Sequence, residues 1–227
     1  MSNTIELAAA DGFVFPAYVA SPAGRPKAAV IVLQEIFGVN SHIRAVAQAY
    51  AGQGYLAVAP SLFHRVKAGV ELGYTPADVS EGAVFKAAIE ALPGRGVLQD
   101  IEATVTHASR AGKVGVVGFC WGGLLSWRAA CELQGLSAAV TYYGGGMTVG
   151  HEPQRQPRCP VLSHFGEKDH AISLDSVRAF QKVQPAVEVQ TYAAGHGFNC
   201  DQRGAFDAEA AALAKERTFA FFAQHLR

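Results

Sequence analysis

Apolar runs alternate with helical periodicities along most of this 227-residue chain. Short apolar runs without polar alternation are typical of strands that are buried on both faces. Such runs occur at 28–33, 55–59 and 114–117, and further strands are predicted at 136–143, 159–165 and 187–192. Between them, apolar residues at helical spacing predict helices, among them 43–51, 97–108 and 174–183. Strands that alternate with helices predict a doubly wound, mostly parallel α/β sheet with helices on both faces.

Two segments depart from this alternation. Near the N-terminus, the stretches 5–9 and 13–20 flank Asp11-Gly12 and predict a β-hairpin. Between 61 and 95 the pattern weakens, and one helix is predicted near 79–91. We interpret 61–95 as an irregular excursion over one edge of the sheet. The prediction is therefore a single α/β domain over residues 1–227.

Composition narrows the classes of function. Half of the residues are hydrophobic, and 19 basic residues balance 19 acidic ones, so nothing suggests binding to nucleic acid or to an anionic membrane. The N-terminal residues lack the pattern of a secretory signal, and no apolar run reaches the ~20 residues of a spanning helix. Four scattered cysteines predict reduced thiols. Together these features predict a cytoplasmic location.

The candidate chemistry begins at the sequence Gly118-Phe-Cys120-Trp-Gly122-Gly. An apolar run ends there and helix-forming residues follow, which predicts a strand, a sharp turn and a helix. The spacing Gly-x-Cys-x-Gly is that of a nucleophile elbow, where glycines are needed because neighbouring backbone passes too close for a Cβ. The helix dipole would favour a thiolate at Cys120. The alternative is a structural cysteine beside a glycine-rich turn.

Other polar residues also follow predicted strands. Cys120, Asp169 and His196 occur in the chain order nucleophile, acid, histidine that α/β-hydrolases use. In this chemistry a thiolate attacks a carbonyl carbon, the imidazole moves the proton, and the carboxylate orients the imidazole. Glu167 and Asp175 compete with Asp169 for the role of the acid.

One further histidine, one glutamate and two backbone N–H groups belong to the same predicted region. His164 lies within a predicted strand and is interpreted as a core histidine that has hydrogen-bond partners. Glu35 follows the buried strand at 28–33 and is either a loop acceptor or a second acid near the thiol. The backbone N–H groups of Ile36 and Trp121 are predicted to hold an oxyanion, the usual pairing of an early loop with the residue after the nucleophile.

These motifs resemble the dienelactone hydrolases, whose type activity is carboxymethylenebutenolidase. The matching pieces are Gln34-Glu-Ile-Phe-Gly-Val-Asn40, Gly54-Tyr-Leu-Ala-Val-Ala-Pro60, Gly118-Phe-Cys-Trp-Gly-Gly123, Tyr142-Tyr-Gly144, Gly166-Glu-Lys-Asp169 and Gly195-His-Gly-Phe198. The resemblance implies a cofactor-free α/β-hydrolase with a Cys-His-Asp triad, an acyl-enzyme intermediate and no metal. It also implies that Glu35 interacts with the resting thiol and takes part in its activation.

The resemblance further implies the surroundings of the substrate. Phe37, Tyr142 and Phe198 would contribute aromatic side chains to the pocket. The family's lactone-cleaving members hold a substrate carboxylate with arginines, one of them four residues after the histidine. In this chain that position is Cys200, and an arginine follows only at Arg203.

The second family arginine falls within the excursion, where Arg65, Lys67 and Arg95 are the candidates to replace it. Without arginines to hold a substrate carboxylate in a bidentate manner, the expected substrate is a lactone or small neutral ester. The expected oligomeric state is a monomer or a small homo-oligomer. The alternative function is a non-catalytic or regulatory binding protein with the same fold. A nucleotide site is disfavoured because the glycine spacing fits neither phosphate-binding motif. A metal site at His196 and Cys200 lacks further spaced ligands.

Overall fold

The computed structural model describes residues 2–227, which form eight strands and six helices. The strands are β1 (Ser2–Ala8), β2 (Val14–Ala20), β3 (Ala29–Leu33), β4 (Leu56–Pro60), β5 (Val114–Phe119), β6 (Leu136–Tyr142), β7 (Val161–Gly166) and β8 (Glu188–Tyr192). The helices are α1 (Ser41–Gly52), α2 (Pro76–Glu90), α3 (Leu98–Ala108), α4 (Trp121–Glu132), α5 (Leu174–Val183) and α6 (Ala208–His225). Their alternation confirms the predicted α/β class with a mostly parallel sheet.

The chain divides into two compact units, Met1–Val114 and Gly115–Arg227. All of β5 except its first residue, Val114, belongs to the second unit. The single domain over 1–227 therefore stays a prediction. Within residues 2–227, no helix has both the length and the apolar character that crossing a membrane requires.

In the first unit the strand order is β1-β2-β4-β3. β1 and β2 form the predicted antiparallel hairpin, and β3 pairs with β4 in parallel. Every residue of β3 is buried, because helices α1 and α3 both contact this strand. Asn40 begins α1 by accepting a hydrogen bond from the N–H of Ile43, as its N-cap position predicts.

The excursion carries α2, which begins three residues earlier than the sequence predicts. Thr75 and Asp78 form a capping box with Pro76 at the first helical position, and this local signal fixes the start. Among the fifteen residues of α2, only Gly82 and Ile89 are buried. The helix therefore adds little to the hydrophobic core, and its contacts are made at specific points.

In the second unit the strand order is β5-β6-β7-β8, and the pairs β6–β7 and β7–β8 are parallel. All of β5 and β7 is buried. Helix α4 contacts β6, and α6 contacts β6 and β7. The segments that carry Cys120, Asp169 and His196 follow the carboxyl ends of β5, β7 and β8. Parallel strands present these ends at one edge of the sheet, where ligand sites form.

Candidate active site

Cys120 stands on a strained turn between β5 and α4. Its backbone has φ 53° and ψ −116°, and a positive φ is costly for a residue with a Cβ. The turn is fixed because the Cys120 N–H donates to the Tyr142 carbonyl at 3.0 Å, while its own carbonyl accepts from the Gly123 N–H at 2.9 Å. The Cys120 side chain remains partly exposed at the N-terminus of α4. The predicted elbow geometry is therefore present.

The glycines around Cys120 permit close crossing of the backbone. A Cβ at Gly118 would overlap the carbonyl oxygen of Gly122, which has no room to move within the turn. A Cβ at Gly123 would lie 2.8 Å from the Tyr142 carbonyl oxygen and 2.9 Å from the Cα of Gly144. At Gly118 and Gly123 the structure thus confirms the steric reason that the motif suggests.

Asp169 and His196 form a buried hydrogen-bonded pair. The Nδ1 of His196 lies 2.7 Å from the Oδ2 of Asp169, and their side chains are 12% and 1% exposed. The other carboxylate oxygen, Oδ1, accepts from the N–H groups of Ala171 at 2.8 Å and Ile172 at 3.1 Å. Backbone donors therefore hold the carboxylate in one orientation, with one oxygen directed at the imidazole.

Each member of this pair stabilises the charged form of the other. Burial disfavours the charged imidazole, but hydrogen bonds with Asp169 and Cys120 outweigh it and raise the pKa of His196 to about 10. Burial also disfavours the charged carboxylate, yet the imidazole and the two backbone donors lower the pKa of Asp169 below its usual value. Because Nδ1 is bonded to Asp169, the other ring nitrogen is the one available to Cys120.

The adjacent residues Tyr142 and Tyr143 pack on different histidines. The Tyr142 hydroxyl hydrogen-bonds Thr218 of α6 at 2.7 Å, and its ring packs on the buried His164 at 4.5 Å. The Tyr142 side chain is buried, and its role in lining the substrate pocket stays a prediction. The next residue, Tyr143, contacts the imidazole of His196 with ring centroids 5.1 Å apart and packs on Phe198 at 5.3 Å.

The sequence did not single out Tyr143, although it lies in the Tyr-Tyr-Gly motif. Tyr143 follows the last residue of β6 and has φ 38°, a left-handed value that residues with a Cβ rarely adopt. No residue pattern signals such a conformation. His164, by contrast, is the partnered core histidine that was predicted, with Nδ1 2.8 Å from the Tyr192 hydroxyl and Nε2 3.0 Å from the Thr218 hydroxyl.

In the first unit, Glu35, Ile36 and Phe37 lie together on the loop after β3. Glu35 is 1% exposed, and Phe37 is 2% exposed. The buried Gln34 side chain fixes the start of the loop, because its Oε1 accepts from the Leu62 N–H at 3.1 Å. The loop is thus an ordered, buried element in which three predicted site residues are neighbours.

The candidate carboxylate-binding arginines are mostly engaged elsewhere. Arg65 donates to Asp100 at 2.7 Å and to Asp11 at 2.7 Å, and its side chain is 12% exposed. Arg95 pairs with Glu102 at 2.7 Å. Arg65 therefore joins the hairpin turn to α3 as a structural cation, which its sequence position did not reveal.

Near the histidine, Cys200 occupies the position of the family arginine and is buried. The guanidinium of Arg203 lies against the backbone of Gly197, since a Cβ built at Gly197 would come within 2.5 Å of its Nη1. Neither unit by itself brings three potential metal ligands together among its described residues.

Comparison with known proteins decides the family. The family model described as the dienelactone hydrolase family matches residues 15–226. This chain belongs to the dienelactone hydrolase family. The carboxymethylenebutenolidase of Pseudomonas putida is 33% identical to this chain, and the match covers 98% of this chain and 97% of the relative. The enzyme of the same name from Pseudomonas knackmussii matches to the same extent.

Solved structures agree with this assignment. A crystal structure from Klebsiella pneumoniae, whose description as a dienelactone hydrolase is provisional, is 32% identical and has a TM-score of 0.82 over 99% of both chains. A dienelactone hydrolase-like promiscuous phosphotriesterase from metagenomic libraries has a TM-score of 0.80 at 20% identity, which shows a shared fold. The predicted α/β-hydrolase fold is confirmed, and the chain is a hydrolase that acts on carboxylic esters or lactones.

Proposed function

We propose that this chain hydrolyses a lactone or small ester through a Cys120-His196-Asp169 triad and an acyl-enzyme. The observation that carries the proposal is the hydrogen-bonded series from Asp169 to His196 to Cys120, with the cysteine on an elbow. The raised pKa of His196 favours an imidazolium next to the Cys120 sulfur. The proposed nucleophile is that sulfur, and its attack needs no cofactor.

The reaction proceeds in two halves. The Cys120 sulfur forms a bond to the carbonyl carbon, and the carbonyl electron pair moves onto oxygen. When the oxyanion collapses, the carbon–alkoxy bond breaks and His196 gives its proton to the leaving oxygen, which in a lactone stays attached to the acyl chain. Water then adds to the thioester while His196 accepts its proton, and the sulfur leaves as the thiolate.

The backbone N–H groups of Trp121 and Ile36 are proposed to stabilise the oxyanion. Trp121 is the first residue of α4, where the helix dipole presents its positive end. Ile36 belongs to a loop that is held in place by its neighbours, as an oxyanion donor must be. Glu35 is proposed to restrain the thiol before substrate enters, the role that the family resemblance implies.

A neutral lactone or ester is the proposed substrate class. The relatives named carboxymethylenebutenolidase are named for a butenolide that carries a carboxymethylene group. Here Cys200 replaces the family arginine, and Arg65 is engaged by two aspartates. Arg203 is the remaining candidate to bind a substrate carboxylate, because its guanidinium lies next to Gly197, the residue after His196. If the protein prefers acidic lactones, that carboxylate-binding role is assigned to Arg203.

The test compares wild type, Cys120→Ala and Cys159→Ala on p-nitrophenyl esters, neutral lactones and dienelactone. We expect Cys120→Ala to lose activity and Cys159→Ala to keep it. Burial raises the pKa of the Cys159 thiol to about 11 and of the Cys131 thiol to about 12. Iodoacetamide should therefore alkylate Cys120 first and abolish hydrolysis. Full activity of the protein alkylated at Cys120 would reject the nucleophile assignment and revive the binding-protein alternative.

The remaining properties are proposals of the same kind. A cytoplasmic location, a monomeric or small homo-oligomeric state and the absence of a nucleic-acid partner rest on the sequence alone. Sedimentation of the purified protein would measure the oligomeric state directly.

A further inference from the structure

Helix α2 rests on the loop that carries Ile36, and the contact is made through a glycine. Gly82 is one of two buried residues in α2. A Cβ at Gly82 would overlap the carbonyl oxygen of Ile36, and it would lie 3.1 Å from the Ile36 carbonyl carbon and 3.2 Å from its Cβ. The backbone of α2 at Gly82 therefore contacts both the carbonyl group and the side chain of Ile36.

The excursion also contacts the residues that follow Ile36 in the same loop. The Leu72 N–H donates to the Phe37 carbonyl at 2.9 Å, and Gly38 forms an antiparallel bridge with Glu71. The Tyr74 ring packs edge-on against the Phe37 ring at 4.7 Å between centroids. These contacts hold the residues that follow Ile36.

Asn40 completes this attachment. Its Nδ2 donates to the Leu72 carbonyl at 3.1 Å and to the Tyr74 hydroxyl at 3.0 Å, while its Oδ1 caps α1. One side chain thus joins the loop, the start of α1 and the residues that precede α2. The excursion is consequently built against the loop at several independent points.

We propose that Gly82 is a positioning residue for the Ile36 amide and that the excursion serves to hold this oxyanion donor in place. The proposal rests on the proposed function, in which that amide stabilises the oxyanion. Helix α2 is exposed along most of its length, and besides Gly82 its buried contacts are those of Ile89 and of Phe85 with Phe63. A glycine in a helix interior is unfavourable for helix formation, and here it permits the close approach to Ile36.

Precise placement of an oxyanion donor has a large effect on rate. Removing one donor lowers kcat by roughly 100- to 1,000-fold, and a misplacement of about 1 Å costs about 100-fold. A Cβ at Gly82 requires Ile36 or the helix to shift, because backbone atoms stand in its way. We therefore expect Gly82→Ala to lower kcat by roughly 10- to 100-fold, with little change in KM.

The matched control is Ala83→Gly on the exposed face of the same helix. Helix propensity alone predicts that Gly82→Ala strengthens α2 and that Ala83→Gly weakens it. The contact with Ile36 predicts that activity does not follow helix stability. Gly82→Ala should have a reduced kcat, and Ala83→Gly should retain the wild-type kcat. Tm is measured for both variants, so that unfolding is separated from the loss of rate.

A second readout is alkylation of Cys120 by iodoacetamide, a displacement that forms no oxyanion. In Gly82→Ala the alkylation rate should stay within about twofold of wild type while kcat falls. An unchanged kcat would overturn the proposal, and so would a parallel fall of kcat and alkylation rate. Failure of the proposed function is distinct, since wild-type protein alkylated at Cys120 would then remain active.

Tyr74→Ala is the second variant if Gly82→Ala does not fold. It removes the ring that packs on Phe37 and leaves the glycine contact unchanged. We expect the same selective loss, with kcat reduced and Cys120 alkylation preserved. Wild-type kcat in Tyr74→Ala would then reject the role of the excursion in holding the loop.

Discussion

Replacing Asp169 with asparagine tests how the carboxylate controls His196. The Oδ1 of Asp169 faces two backbone donors, the N–H groups of Ala171 and Ile172. In Asp169→Asn, the amide oxygen must take this position, because an amide nitrogen would face donors only. The NH2 group then occupies the position of Oδ2, 2.7 Å from the Nδ1 of His196.

An NH2 group in that position reverses the hydrogen bond. It can donate to Nδ1 but cannot accept its proton, so the imidazolium loses its partner and the pKa of His196 falls from about 10. The neutral ring then carries its proton on Nε2, where it cannot accept one from Cys120. In serine triads the same change lowers kcat about 10,000-fold through the wrong tautomer. We expect a loss in kcat/KM of roughly 1,000-fold, or about 4 kcal/mol of transition-state stabilisation.

The assay is the pH profile of kcat/KM with a p-nitrophenyl ester. Because the substitution lowers the His196 pKa, the alkaline limb of the profile should move to lower pH, along with the fall in the maximum. Glu167→Gln and Asp175→Asn are the matched controls, since both carboxylates are exposed competitors of Asp169 in the same segment. Both controls should remain within about twofold of wild type.

Two results would refute this reasoning. A loss of less than about tenfold in Asp169→Asn would show that the carboxylate does not govern the imidazole. An equal loss in Asp175→Asn would show that the assay reports general damage to the segment. The downfield proton resonance of the His196 Nδ1–H gives an independent check, since it should disappear in Asp169→Asn.

Three further predictions concern stability. Gly118→Ala should lower the free energy of unfolding by about 3 kcal/mol or more in urea titrations, because its Cβ overlaps the Gly122 carbonyl; wild-type stability would contradict this steric argument. His196 has a pKa raised from 6.5 to about 10 in the fold, so its stabilisation is complete below pH 6.5 and should be lost as pH rises to about 10. His164 has a pKa lowered by burial from 6.5 to about 3, so the unfolded chain binds the extra proton and stability should fall as pH falls from 6.5 towards 3. Unfolding titrations across pH test both limbs, and an acid limb of unchanged slope in His164→Gln would contradict the assignment.

The fold class and the hydrolase class could be predicted because their signals are local in sequence. A strand buried on both faces reads as an apolar run, and an elbow needs glycines within two or three residues of its nucleophile. Capping residues such as Asn40 act on backbone groups only a few positions away. The order of Cys120, Asp169 and His196 was visible because each residue follows a predicted strand.

Contacts between distant segments could not be predicted from the same pattern. Sequence alone left Asp169, Glu167 and Asp175 as competing acids, and the structure separates them by placing one oxygen of Asp169 on the imidazole of His196. It likewise assigns Arg65 to Asp100 rather than to a substrate.

The sequence likewise did not predict which of the adjacent residues Tyr142 and Tyr143 contacts His196. Both are aromatic and adjacent, but the Tyr143 ring contacts His196 while the Tyr142 ring packs on His164. The sequence determined the elements and the residue types at their ends, since these depend on local backbone preference and on burial. The tertiary structure alone decided which side chains meet, because that depends on strand pairing, turn geometry and close contacts such as that of Gly82 with Ile36.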